Sequence, residues 1–290
     1  MTLAAAAGAA LPGLLAAGAE PNARPVALRH AVKYEMVAYD GSVLDKFRLL
    51  KRLGYDGVEI ASPNELDQQE VIDARDETGL KIHGTVCSTH WRLPLSHPDG
   101  NVRRQAIAGV ERALHDCVAY GGNTVLVVPA VVNAEVSYAD AYERSQGAIR
   151  RLIPLAEQLG VRMAIENVWN HFLLSPLEAA RYVDEFESDA VGWYFDIGNI
   201  VNYGWPTHWI RTLGDRILKL DIKDFSRKKR DEEGLWRGFA VEIGEGDSDW
   251  PGVMKALAEI GYSGWATAEV RGGGEDRLQE IKRRMDSVLR

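Results

Sequence analysis

Only two cysteines, Cys87 and Cys117, occur among 290 residues. One lies on a predicted strand and one on a predicted helix, where they read as small buried hydrophobes; no disulfide or Cys-metal framework is expected. Basic charge is also scarce, since 34 Lys and Arg face 42 Asp and Glu, for a formal net charge of -8. A chain without a basic excess does not hold a polyanion by counterion release, which sets aside nucleic acid and anionic membrane as partners. Long apolar runs are missing too. The uncharged stretch at residues 3–19 (LAAAAGAALPGLLAAGA) is too short to cross a bilayer comfortably, so no membrane span is expected. It ends in Ala17-Gly18-Ala19, which has the small-x-small form of a signal-peptidase site, although no Lys or Arg precedes it. Residues 1–25 are therefore expected to form an Ala-rich leader, with export weighed slightly above a disordered cytoplasmic segment, and residues 26–290 to form the folded domain.

From Ala31 onward, short runs rich in Val, Ile and Tyr alternate with segments of helical periodicity. Strands are predicted at 31–34, 57–61, 81–87, 124–129, 162–168, 191–197, 217–222 and 265–270. Helices are predicted at 43–53, 65–78, 101–120, 138–159, 176–187, 206–213, 250–260 and 275–289. Ser175-Pro176 opens the fifth helix, and Gly160 and Gly261 close the fourth and seventh. The order is strand then helix throughout, and no glycine-rich dinucleotide turn follows the first strand. A closed (β/α)8 barrel is therefore favoured over a doubly wound open sheet. Residues 225–249 form the one long irregular insertion, with Arg227–Gly246 as the candidate lid over a substrate.

Four acidic residues, Glu166, Asp196, Asp221 and Glu269, end four of these apolar runs. Burying an ionised carboxylate is costly unless it is paired or ligates a metal. A single such acid reads as a structural ion pair. Four at successive strand ends, with few basic residues beside them, point instead to one divalent cation at the C-terminal face of the barrel. An all-oxygen donor set favours Mn or Mg, with Co tolerated, over Zn. A dication gripping a carbonyl oxygen and the adjacent hydroxyl of a sugar would stabilise an enediolate. Glu166 and Glu269 lie on strands separated by two others, so they can address the reacting carbon from opposite faces and invert it. If only one reached the substrate, the same proton transfer would interconvert aldose and ketose. Expulsion of a leaving group from that intermediate would instead make the protein a lyase or hydratase of a 3-keto-sugar.

The segments IENVWN, YFDIGNIVNYGWPTHWI, LKLDIKDFSR, IGEGDSDWPGVMKAL and GYSGWATAE resemble the sugar (phosphate) isomerase/epimerase family with the xylose-isomerase-like barrel. The similarity to ketose 3-epimerases and L-ribulose-5-phosphate 3-epimerases runs from roughly Val32 to the C-terminus and is strongest after Val161. It implies a metal on Glu166, Asp196, Asp221 and Glu269, with the two glutamates as the acid/base pair. The family usually carries His in the strand-seven slot, in a pattern like H-x-K-D, where this chain reads Asp221-Ile222-Lys223-Asp224. The extra negative charge strengthens the expectation of Mg or Mn. The resemblance also implies substrate contacts from Asn199, where His is often found, and from Arg227. An AP-endonuclease-like nuclease would call for a richer His set and a basic groove. Seven scattered histidines and a net negative charge argue against it. A non-catalytic sugar-binding barrel is the bland alternative.

Further candidates for substrate contact are His83 on strand three, with His90 and Trp91 just after it, all expected to face the barrel mouth. His171 follows Glu166 by five residues. Trp169, Trp205 and Trp209 lie in loops where indole faces stack on sugar rings. Lys223 shares the face of Asp221 by strand alternation and is expected near the carboxylates. Arg271 and the following Gly272-Gly273-Gly274 precede a helix, a common phosphate seat in barrels, although export counts against a phosphorylated substrate. The expected partner is a small-molecule sugar or sugar phosphate, and a homo-oligomer is compatible with the sequence.

Overall fold

Every strand of the sheet runs parallel to its neighbours, and the eighth returns to the first. The computed structural model describes residues 26–290; the predicted leader lies outside the described residues. The strands are β1 (Leu28–Lys33), β2 (Gly57–Ser62), β3 (Lys81–Cys87), β4 (Thr124–Val127), β5 (Arg162–Glu166), β6 (Val191–Asp196), β7 (Ile217–Ile222) and β8 (Gly264–Ala268). They pair in sequence order, and Ala31 of β1 aligns with Thr267 of β8, so the sheet closes into a (β/α)8 barrel. Strands such as TVLV and VGWYFD are buried throughout, as a sheet covered on both faces requires.

Ten helices follow the strands, all but α8 lying in the layer around the sheet: α1 (Val43–Arg52), α2 (Gln68–Thr78), α3 (Gly100–Tyr120), α4 (Tyr138–Leu159), α5 (Pro176–Asp184), α6 (Ile197–Val201), α7 (Pro206–Leu213), the exposed α8 (Arg227–Glu233), α9 (Trp250–Glu259) and α10 (Glu275–Val288), counted among the described residues. Their starts carry the expected caps. Ser42 and Asp45 form a reciprocal capping box on α1, and Ser175 caps α5 ahead of Pro176. Gly160 closes α4 in the left-handed conformation.

Two regions hold more structure than predicted. The sixth predicted helix appears as α7 with the expected bounds, and a short α6, capped by the Asp196 carboxylate, precedes it. The insertion at 225–249 is less irregular than expected: it holds α8 and a 3-10 turn at Leu235–Phe239. Asp224 closes this excursion. Its carboxylate accepts from the backbone N–H groups of Gly244 (3.0 Å), Gly246 (3.1 Å) and Ser248 (3.2 Å), from Ser248 Oγ (2.6 Å) and from Trp250 Nε1 (2.9 Å).

The barrel interior is unusually polar. Between β2 and β3 the register slips at His83, and between β6 and β7 it slips at Leu218. Each slip inserts one residue and re-aims the side chains after it. The Lys219 ammonium thereby reaches His83 Nδ1 (2.9 Å) and the His83 carbonyl oxygen (2.5 Å), while Thr267 Oγ1 lies 3.1 Å from His83 Nε2 and from the Tyr194 hydroxyl. Tyr194 donates to Glu59 at 3.2 Å, and Lys33 donates to the other side of the same carboxylate oxygen at 2.6 Å. Gly84 makes room for this network, because a Cβ there would lie 2.8 Å from Lys219 Nζ and 2.5 Å from the Thr124 carbonyl oxygen.

Candidate metal centre and its cavity

Parallel strands deliver their C-terminal ends to one rim, and four consecutive ends carry carboxylates. Glu166 ends β5, Asp196 ends β6, Asp221 precedes the last residue of β7, and Glu269 follows β8. Each offers one ligand oxygen, and these four atoms lie within 4.8 Å of one another. Glu166, Asp196 and Asp221 are buried, and Glu269 is half-buried.

Three of the four carboxylates, those of Asp196, Asp221 and Glu269, are held by identifiable neighbours. Asp196 accepts from the backbone N–H of Asn199 (2.9 Å) and from Asn199 Nδ2 (2.7 Å). Asn167 secures the same strand end, accepting from the Asp196 N–H (3.0 Å) and donating to the Asp196 carbonyl oxygen (2.7 Å). Lys223 lies between Asp196 Oδ2 (2.8 Å) and Glu269 Oε2 (2.5 Å). Lys33 reaches up from β1 to Asp221 Oδ2 (3.0 Å) while also holding Glu59. The other oxygen of Asp221, Oδ1, is buried without a partner, as is Glu59 Oε1.

Five carboxylates, those of Glu59 and the four at the rim, thus face the ammoniums of Lys33 and Lys223. The deficit of positive charge appears in the proton affinities. Burial, and then the charges of Glu269, Asp221 and Asp196, push Glu166 well above the usual carboxylate range. Burial likewise raises Asp221 against the pull of Lys33, and raises Asp196 to about 6 against the pull of Lys223. Glu269 goes the other way: burial opposes its ionisation, but Lys223 and then Lys33 outweigh it and hold the group at about 2. A dication supplies the charge such a cluster lacks, and the unpartnered Asp221 Oδ1 supplies a free donor. The residues therefore fit a divalent cation.

Above the rim lies a cavity of about 1100 Å³. Glu166, Glu269, Lys223 and Asn199 line its floor, His90 and Trp91 one side, and Trp169, Trp236, Phe239 and Glu242 the lid side. Arg271 and Arg277 also reach it. His90 is buried, and that burial lowers its pKa to about 4, so the ring is neutral there; Nδ1 accepts from the Val128 N–H at 3.3 Å.

Several expected site residues are placed elsewhere. His83 does not face the mouth: it sits early in β3, stacks on Trp265 at 4.6 Å and belongs to the network beneath the rim. His171 is exposed, in a positive-φ loop position, and does not line the cavity. Arg227 turns away to bind the Val201 and Gly204 carbonyl oxygens (3.0 and 2.8 Å), anchoring α8 to the α6–α7 loop. Trp205 packs with Arg227, and Trp209 is buried beside Trp193 and Phe195, which leaves Trp169 as the one member of that trio on the cavity wall. Asn199 lies at the floor with its Nδ2 engaged by Asp196 and by the Asn167 carbonyl oxygen. Arg271 reaches the cavity, but the glycines after it do not form an anion seat. The Gly273 N–H is bonded to the Met36 carbonyl oxygen, and α10 opens with Glu275 and Asp276, whose charge repels a phosphate.

Other contributors were not expected at the site from sequence. Lys33 and Glu59 were visible as charges inside apolar strands, AVK and GVEI, the same signal that exposed Glu166. Trp236 and Phe239 had no periodic signal, because a 3-10 turn aims them.

The family described as "Xylose isomerase-like TIM barrel" matches residues 47–289. The chain belongs to this family. Among its relatives, L-ribulose-5-phosphate 3-epimerase UlaE of Escherichia coli O1:K1 / APEC is 24% identical over 259 residues, covering 84% of this chain and 88% of that protein. Among solved structures similar to this xylose isomerase-like barrel is the apo form of 3-keto-D-glucoside 4-epimerase YcjR from E. coli. It has 19% identity and a TM-score of 0.72, covering 90% of this chain and 98% of that one. D-psicose 3-epimerase from Clostridium cellulolyticum H10, solved with D-tagatose, also has 19% identity and a TM-score of 0.72, covering 90% and 99%. At such identities the solved structures establish the barrel and no more. Among the described residues no helix is long and apolar enough to cross a membrane.

Proposed function

We propose that this barrel is a divalent-metal-dependent epimerase or isomerase that moves a proton next to the carbonyl of a ketose or other keto-sugar. The observation that carries this reading is the convergence of Glu166, Asp196, Asp221 and Glu269 within 4.8 Å, with Glu166 and Glu269 open to the cavity and Asp196 and Asp221 buried beneath it. Asp196 and Asp221 are buried and fixed from behind, by Asn199 and Lys33, which suits them to holding the ion. Mn or Mg is the expected occupant, from the all-oxygen donor set. When bound, the ion would supply Lewis-acid stabilisation to the two oxygens of an enediolate.

Glu166 and Glu269 both open into the cavity from strand ends separated by β6 and β7. From those positions one carboxylate can take the proton from the substrate carbon while the other delivers a proton to the opposite face, inverting the centre. Lys223, beside Glu269 and open to the cavity, is placed to neutralise charge on a substrate oxygen. The relatives named as sugar epimerases support the choice of substrate class. The acidic start of α10 favours an unphosphorylated sugar.

The test is elemental analysis of the purified protein, followed by incubation with free, phosphorylated and 3-keto sugars in deuterated water. Deuterium entering one sugar carbon without loss of a group is the expected result. An unsaturated product would replace epimerisation by elimination, and no exchange on any sugar with a fully metal-loaded protein would refute the reading.

A further inference from the structure

The cavity is larger than the carboxylate floor requires. Its volume of about 1100 Å³ exceeds the roughly 300–1,000 Å³ typical of pockets that bury drug-sized ligands. One sugar ring seated over the carboxylates leaves the outer part empty.

The wall from the floor outward is aromatic: the Trp169 indole N–H donates to the Asn199 carbonyl oxygen at the floor (2.9 Å), the Phe239 ring centre lies 5.5 Å from Lys223 Nζ, and Trp236 stands next to both rings, largely in solvent. Trp169 lies 4.8 Å from Trp236 and 4.9 Å from Phe239, measured between ring centres. Trp236 nonetheless leaves 69% of its surface in solvent, and Trp91 across the cavity leaves 52%. Large indoles held open at a cavity mouth are a signature of ligand contact. The platform is also rigid. Gly238 sits so close to Phe225 that a Cβ would lie 2.2 Å from its ring, and the Gly238 carbonyl oxygen accepts from the Ser226 N–H at 2.8 Å. With the five donors on Asp224, these contacts fix Trp236 and Phe239 in place before any ligand arrives. Beside the rings, Arg277 is paired with Glu242 at 2.7 Å and Arg271 also reaches the cavity, so this edge offers hydrogen-bond donors and acceptors.

We infer that Trp169, Trp236 and Phe239 form a second subsite, which takes the far ring of a disaccharide whose keto-sugar half lies over the carboxylates. An apolar ring face meets the indoles, and hydroxyls meet the Glu242–Arg277 pair. The inference rests on the proton-transfer reading above and adds the size of the substrate to it.

The test compares solvent-deuterium exchange into 3-keto-glucose and into a disaccharide bearing the same 3-keto-glucosyl unit, in the metal-loaded wild type and in Trp236→Ala. Because Trp236 is largely exposed, its truncation leaves the core intact. The wild type should favour the disaccharide in kcat/KM, and Trp236→Ala should cut that preference about tenfold, chiefly through KM. Equal efficiency on both sugars, or an equal loss on both in the variant, would overturn the inference. Calorimetric titration separates the two readings. If neither sugar exchanges but the disaccharide binds wild type more tightly than Trp236→Ala, the subsite stands and the proton-transfer reading falls. If binding is the same in both proteins, the subsite falls.

Discussion

Replacing Lys33 by Met removes the cation that, among the described residues, bridges the metal-ligand layer and the barrel interior. Its ammonium donates to Glu59 at 2.6 Å and to Asp221 at 3.0 Å, and all three groups are buried. Without it, Glu59 keeps only the Tyr194 hydroxyl at 3.2 Å, and Asp221 loses the partner of Oδ2 when Oδ1 already has none. Breaking a buried ion pair by deleting one partner costs about 3–5 kcal/mol, because the remaining charge stays desolvated. Asp221 can escape part of that cost by taking up a proton. Its pKa already lies well above the usual carboxylate range, and Lys33→Met raises it further, so the folded protein holds a proton that the unfolded chain releases above pH ~4. The deficit is therefore small in acid and grows as pH rises. Guanidinium unfolding at pH 5 and pH 8, with and without excess Mn, measures this directly. At pH 8 the variant should lose stability on that scale with an unchanged m-value, and Mn should restore more stability to it than to wild type. A loss below about 1 kcal/mol at pH 8, or a loss that Mn leaves untouched, would refute both the coupling of the two layers and the role of Asp221 as a ligand.

The other predictions probe separate parts of the site. Glu166→Gln and Glu269→Gln should each lower deuterium exchange by about 10²–10⁴-fold with the unfolding midpoint retained; full activity in both would remove them as the acid/base pair. Asp221→His, which restores the residue type usual in the family, should shift competition between Mn and Zn toward Zn, read by elemental analysis after dialysis against both. Burial holds His90 neutral down to about pH 4, against 6.5 for an unburied ring. Stability from this group is complete above pH 6.5 and is lost as pH falls toward 4, about 3 kcal/mol in all, so His90→Gln should flatten the acid limb of a stability-pH curve.

The fold and the rim carboxylates were legible in the sequence for one shared reason. Strand alternation and strand order are periodic signals, and a charged residue inside an apolar run stands out against them. Glu166 in AIENV, Asp196 in WYFDIG and Asp221 in KLDIK each break their pattern, and closure of the barrel brings those breaks together. The same signal marked Lys33 and Glu59, but their meaning was hidden, because only the register β1 to β2, with Lys33 opposite Glu59, makes them a pair. His83 shows where the period fails. Alternation assumes one residue per step, and the slip in register at His83 inserts an extra one. Depth fails separately, since a residue early in β3 lies below the rim whichever way it points. Arg227, Trp205 and Trp209 follow from local chain turns, the short α6 ahead of α7 and the start of α8, which no period encodes.

Charges that interrupt apolar strands thus mark the ions of the site, while the loops decide what those ions meet. Lys223 illustrates the division. Its place two residues after Asp221 put it on the right face, and the structure sets its ammonium between Asp196 and Glu269 at 2.8 and 2.5 Å. The Asp in the strand-seven slot then has a physical counterpart in Lys33. An added carboxylate is tolerable in a buried cluster only if a cation accompanies it, and Lys33 at 3.0 Å from Asp221 Oδ2 is that cation. Lys33 is shared with Glu59, so the three groups keep a net negative charge while Asp221 presents one free oxygen to the rim. The substitution therefore hardens the donor and adds negative charge, and both favour a hard dication, which is why the choice of metal is the property expected to respond.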